Sequence, residues 1–200
     1  MTHVRARINM LRDLEKRQMR LPVVETERFT LRGFVPWDID RLAEILGDPL
    51  VMRYMPGDDP WPRDAAMREL GSVIEHWGRH GYGKWAVVDK EDDRMIGWCG
   101  LGFLPEIDET EVAYLLDKDY WNRGYATEAA RISLGYGFEE AGLDSIIALA
   151  FPENTASRRV MEKIGMAYEK MIHIWNLDLV KYSITRDVYR AAGLAGKRES

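Results

Sequence analysis

The sequence predicts an α/β fold, a single domain on a mixed central sheet in which an antiparallel meander joins a central parallel strand pair, with helices flanking the sheet. Three observations carry this. Alternating apolar and polar runs at residues 84–89, 95–104 and 110–116 are separated only by short charged turns, as in an antiparallel meander. The last run leads through a turn into a helical pattern and then into residues 145–151, an unbroken apolar stretch that reads as a strand buried on both faces. Strand, helix and buried strand make a βαβ unit, whose two strands are parallel neighbours. Finally, 200 residues at 46% hydrophobic content form one domain with a core and are too few for two ordinary ones.

Taken in order, residues 1–20 read as a basic arm with Val4, Ile8, Leu11 and Leu14 loosely at helical spacing, and 21–190 as the folded domain, with 191–200 a tail. Residues 28–34 alternate like a first strand and stop before Pro36. Asp38 then opens a helix carrying Ile39, Leu42, Ile45 and Leu46, which Gly47-Asp48-Pro49 ends. Three prolines make residues 52–62 a loop. A second helix is predicted over 63–79, with Ala66, Leu70, Val73, Ile74 and Trp77 on one side. After the meander, a helix runs from Gly124 to about Ala141. A short helix follows over 155–164 with Gly165 as its cap, and strands at about 166–173 and 177–185 complete the sheet. Gly97, Gly100 and Gly102 fall inside a strand, where a bulge or a close backbone approach is the expected reason for glycine.

Charge and cysteine usage exclude some functions. The net charge is −5, but the first twenty residues hold six Arg/Lys against two Asp/Glu, so that arm is +4 and the remainder −9. Duplex nucleic acid demands clustered Lys and Arg, so no DNA partner is expected, and the acidic body suits a cationic substrate. No apolar run is long enough to span a bilayer, so no membrane association and a cytoplasmic location are expected. Cys99 is alone and reads as a small buried hydrophobe. His3, His76, His80 and His173 show no ligand spacing, so no metal is expected.

The stretch from Tyr120 to Glu128 organises the chain. It joins a strand to a helix through Asn122-Arg123-Gly124, and the first turn of a helix leaves N–H groups unpaired in a positive potential. Phosphate is the natural ligand of such a turn. Neither a Walker loop nor a Gly-x-Gly-x-x-Gly after a strand is present, which excludes the commonest nucleotide folds.

Tyr114-Leu115-Leu116, then Trp121-Asn122-Arg123-Gly124-Tyr125-Ala126-Thr127-Glu128-Ala129, then Asn154, Ser157, Arg159 and the run to Met166 resemble the GNAT N-acetyltransferase superfamily. Within it the chain is similar to the RimJ/RimL branch of ribosomal-protein N-terminal acetyltransferases, from about residue 21 to 190 and including Glu27-Arg28-Phe29-Thr30-Leu31-Arg32. The resemblance implies a single GNAT-type domain with acetyl-CoA between the central parallel strands. Its diphosphate would lie on the backbone of Asn122, Arg123, Gly124, Tyr125, Ala126 and Thr127. Asn154, Ser157 and Arg159 would line the coenzyme from the other side, and Tyr114, Leu115 and Leu116 would flank the thioester, with backbone groups polarising its carbonyl. Two positions depart from the family pattern: Trp121 replaces the usual Gln or Arg, and Asn122 a common glycine. The family analogy also admits a homodimer.

Amine acetylation sets its own requirements. A lysine-like amine of pKa about 10.4 costs roughly 4.6 kcal/mol to present neutral at pH 7, whereas an α-amine costs only about 1 to 1.4 kcal/mol. A carboxylate that takes the proton helps either. Glu111 is the candidate base, at an acidic position common in the branch, and Ser157, with Asn154 beside it, is the candidate donor to the departing thiolate. Trp37, Tyr54 and Trp61 flank the proline-rich segment that the resemblance places over the acceptor. The acceptor is a protein α-amine or a small amine such as a polyamine or aminoglycoside. A module that binds acyl-CoA without turnover is the alternative, and it would need the cradle but no base.

Overall fold

The computed structural model describes residues 21–57 and 59–194. The basic arm predicted at 1–20 and most of the predicted tail lie outside the described residues. Among the described residues eight strands form one sheet: β1 (Val24–Glu25), β2 (Phe29–Arg32), β3 (Lys84–Asp89), β4 (Arg94–Leu104), β5 (Glu109–Leu116), β6 (Ser145–Ala150), β7 (Ala167–Ile174) and β8 (Leu177–Thr185). Their order is β1-β2-β3-β4-β5-β6-β8-β7. All neighbours are antiparallel except β5 and β6. The helices are α1 (Asp38–Leu46), α2 (Pro49–Met52), α3 (Arg63–His80), α4 (Tyr125–Glu139), α5 (Thr155–Lys163) and α6 (Arg186–Ala191), with a 3-10 turn at Lys118–Tyr120. The meander and the βαβ unit stand as the sequence predicts.

Helix α4 lies on one face of the sheet, and small residues let it approach closely. Ala129, Ala130 and Ser133 are fully buried. A Cβ at Gly137 would come within 2.6 Å of Ile146 Cδ1 and 2.9 Å of Leu101 Cδ1. Cys99, buried as expected, points its Sγ to within 3.4 Å of Ser133 Oγ. Trp85, Phe29, Leu31 and Ile96 are wholly buried in the same core, each worth about 1.5 to 3 kcal/mol of transfer free energy.

Two departures have local causes. Helix α1 ends at Leu46 as expected, but Pro49 also opens the unexpected α2 at its first turn, where its missing N–H costs nothing, and the Asp48 carboxylate accepts the Leu50 N–H. Helix α6 was not expected; the Thr185 hydroxyl caps it by accepting the Val188 N–H, and Tyr189 buries its ring against Phe138.

The parallel pair decides the rest. β5 and β6 share a single registered pair, Glu111 with Ile147, and then separate. β6 is paired with β8 along its whole length on its other edge, while the edge of β5 beyond Glu111 has no registered strand partner on the β6 side. Upstream, Gly97 adopts φ +147° opposite the break in β3–β4 register at Val87/Val88. A Cβ there would sit 2.1 Å from the Leu115 carbonyl. A bulge at this point increases local twist.

Candidate active site

A cavity of about 600 Å³ opens where β5 and β6 part. Both strands, the 121–127 turn, the start of α5 and residues 50–56 line it. The sheet register explains the floor: Lys84, Gly100 and Ala113 are cross-strand partners, as are Trp98 and Leu115, and Gly102 and Glu111. Strand side chains alternate, so these residues share one face, and Lys84, Trp98, Glu111, Ala113 and Leu115 all line the cavity.

At one end lies the turn. Asn122 has φ +59° and Gly124 φ +86°, both left-handed, before α4 starts at Tyr125. Asparagine tolerates that conformation better than other residues with a Cβ, so it stands in for the family's glycine. No side chain caps α4, leaving its first N–H groups open. Alternation of left-handed residues before a helix makes an anion-receiving concavity. Trp121 is 42% exposed, and its indole N–H donates to the Leu116 carbonyl at 2.8 Å, which ties the turn to the end of β5. Of the predicted turn residues, Asn122, Gly124, Tyr125, Ala126 and Thr127 line the cavity. Arg123 is outside that lining, its guanidinium 5.5 Å over the Tyr120 ring.

The middle of the cavity holds three linked polar groups. The Asn154 side-chain oxygen accepts the Ser157 N–H at 3.1 Å and caps α5. From β5, the Tyr114 hydroxyl lies 2.9 Å from Ser157 Oγ and donates to the Ser157 carbonyl at 3.0 Å. Burial pushes the Tyr114 phenol above its ordinary range, so it stays protonated at neutral pH. Leu115 and Leu116 end β5 beside it, and Arg159 lies exposed on α5 at the cavity edge.

Glu111 marks the other end, at the point where the strands begin to separate. Burial pushes its carboxyl above the ordinary range; the Lys84 ammonium pulls it back and Glu106 adds to the rise. Lys84 went unread in the sequence as a site residue. Its Nζ lies 2.8 Å from Glu69 Oε1 and 4.2 Å over the Trp98 ring, and only the three-strand register reveals that it faces Glu111's side. Trp175 was missed as well. With Asn176 it forms the β7–β8 turn, both at positive φ, and its indole N–H donates to Glu106 Oε1 at 2.9 Å while the ring lines the cavity.

Of the three predicted acceptor-side aromatics, only Tyr54 lines the cavity, 6.2 Å from the Phe151 ring with Arg53 over its face at 5.2 Å. Trp37 stands 68% exposed before α1, and Trp61 packs on the core with its backbone N–H on the Leu46 carbonyl at 2.8 Å; the structure brings neither to the cavity. His76 and His80, scattered in the sequence, stack one helical turn apart at 4.4 Å. Among the described residues no group of three or more His, Cys, Asp or Glu could hold a metal ion. No helix among them is long and apolar enough to cross a membrane.

Residues 28–167 match the family described as "Acetyltransferase (GNAT) domain". The chain belongs to the GNAT acetyltransferase family. It is an acetyl-CoA-dependent N-acetyltransferase. YkkB of Bacillus subtilis is 36% identical over 169 residues, 78% of this chain and 92% of that protein. A GNAT acetyltransferase structure from Bacillus anthracis is 30% identical with a TM-score of 0.71, covering 83% of this chain and 99% of that one. The fold also matches RimL, a ribosomal L7/L12 α-N-protein acetyltransferase in complex with coenzyme A. That likeness has a TM-score of 0.71 at 13% identity over 84% of this chain and 99% of that one.

Proposed function

We propose that this GNAT enzyme acetylates a single amine, a protein N-terminal α-amine before a polyamine or aminoglycoside, and that it does so by direct transfer in the cavity between β5 and β6. The observation that carries the reading is the arrangement along one cavity: open N–H groups at 122–127, a Tyr114–Ser157–Asn154 cluster midway, and the Glu111 carboxyl at the far end. The residues present fit the coenzyme. Its diphosphate suits the left-handed turn and uncapped helix, and its extended arm suits the unpaired edge of β5. When bound, acetyl-CoA supplies an acetyl group activated as a thioester.

Each of the chain's own groups then has a task. Glu111 accepts the proton of the incoming ammonium, a role strengthened by burial that raises its basicity. The Ser157 hydroxyl donates toward the departing sulfur, held by its backbone bond to Asn154 and by Tyr114. Backbone donors at the end of β5 polarise the acetyl carbonyl.

The chemistry of the amine supports a single α-amine. Lys84, paired with Glu69, and Glu106 offset one another around Glu111, so one carboxylate is left to take one proton. An α-amine, close to neutral already, asks less of that base than the ammonium groups of a polyamine. RimL's action on a protein α-amine agrees with this choice. The test is release of CoA thiol over a panel of peptides with free or blocked N-termini, polyamines and aminoglycosides. Turnover should follow the free α-amine and fall at least about a hundredfold in Glu111→Gln. Turnover of polyamines or aminoglycosides with none of any peptide would overturn the acceptor assignment.

A further inference from the structure

Arg28 lies just before β2, outside the cavity lining, and no step of the proposed reaction uses it. Its backbone is fixed, since its carbonyl accepts the Lys90 N–H at 2.9 Å. From there its guanidinium makes three contacts with the turn and the first turn of α4. Nη2 donates to the Arg123 carbonyl at 2.8 Å. Nη1 lies 3.4 Å from Glu128 Oε2. The guanidinium plane covers the Tyr125 ring, with Cζ 4.0 Å from its centroid. Tyr125 is anchored in turn by its hydroxyl on the buried Asp89 carboxylate.

These contacts bear on anion binding in two ways. Arg123 sits between the two left-handed residues, and its carbonyl, if it turned inward, would present negative density to a phosphate. Arg28 takes that carbonyl on the outer side. Glu128 in the first turn favours the helix by its charge, yet it would repel a diphosphate bound at the same terminus. Arg28 offsets that charge. We propose that Arg28 is a positioning residue for the coenzyme: it holds the 122–127 turn in its anion-receiving form and screens Glu128, without touching the diphosphate itself. This rests on the reading that the turn receives the diphosphate of acetyl-CoA. A lysine could supply the charge but neither the planar stack nor the two-pronged donor.

The experiment compares acetyl-CoA with acetyl-pantetheine, which carries the same thioester and no diphosphate, as donors to one peptide acceptor, in wild type, Arg28→Ala, Arg28→Lys and the double variant Arg28→Ala/Glu128→Gln. For Arg28→Ala, KM for acetyl-CoA should rise about tenfold, as for loss of a charge-assisted hydrogen bond, with kcat kept. Kinetics with acetyl-pantetheine should not change, and the double variant should recover part of the loss. Equal loss on both donors, or none on either, would overturn the role of Arg28. If wild type used acetyl-pantetheine as well as acetyl-CoA, the diphosphate reading itself would fail, a result separate from any effect of Arg28. Should Arg28→Ala not fold, Arg28→Lys carries the test: an intermediate KM confined to acetyl-CoA supports the proposal, and a wild-type KM overturns it.

Discussion

Glu111 is a base whose strength its neighbours set. Burial raises its pKa and Lys84 opposes the rise, so the acid limb of kcat/KM should lie above the ordinary carboxylate value and report ionisation of Glu111. Removing the ammonium in Lys84→Met takes away the opposing influence, so that limb should move to higher pH. In Glu111→Gln it should vanish. A pH series on the three proteins checks this, and an unmoved limb in Lys84→Met would detach Lys84 from the base. Ser157 is likewise governed by a partner, the Tyr114 hydroxyl 2.9 Å away. The raised pKa of Tyr114 makes it an orienting donor and a poor acid, so Tyr114→Phe should lower kcat less than Ser157→Ala does.

At the scale of elements, α1 is fastened by one buried charge. Asp38 is 3% exposed, and Arg32 on β2 grips it with two bonds of 2.7 and 2.8 Å, while the Val35 N–H donates to it at 2.8 Å. Removing the carboxylate leaves the Val35 N–H and the partly exposed Arg32 without it, so Asp38→Ala should cost about 1 to 3 kcal/mol, read as a lower urea midpoint with an unchanged slope. Arg32 thus serves the fold, while Arg28, four residues earlier, faces the turn. On the other side of the site, Asn154 caps α5 and presents Ser157 with one side chain. Helix start and catalytic presentation are therefore a single feature there.

Over the whole molecule, charge and local site diverge. The body is acidic, which suggested a cationic substrate, yet the cavity lining includes the cations Lys84, Arg53, Arg159 and Lys163. Long-range sign tells about solubility and steering, and the lining decides recognition. Stability should also fall in acid through His76. Burial pushes it down to about 4, helped by His80, Lys84 and Arg79, so the folded chain keeps it neutral while the unfolded chain binds a proton below its ordinary pKa of about 6.5. The unfolded state then holds more protons, and stability present above pH 6.5 is lost as pH falls toward 4. His76→Leu should flatten that part of the stability curve. Cys99, fully buried with its thiol pushed up to about 12, should react with thiol reagents only after unfolding, which leaves CoA as the thiol that a release assay reads.

The sequence by itself determined the meander, the βαβ unit and the turn at residues 122–127, because alternation, helical spacing and a turn between strand and helix are local rules. It also marked Gly97 as a special strand position, which the close approach of the Leu115 carbonyl explains. Only the tertiary structure decided where β5 and β6 part, since one registered pair and the full pairing of β6 with β8 are properties of the whole sheet. That parting creates the cavity. The β3–β4–β5 register puts Lys84 on the same face as Glu111, the β7–β8 hairpin brings Trp175 to the cavity, and Trp37 and Trp61 stay outside it. Aromatic residues near a loop in sequence carry no direction, because a loop side chain is aimed by the tertiary contacts of its backbone, as the bond from the Trp61 backbone N–H to the Leu46 carbonyl illustrates.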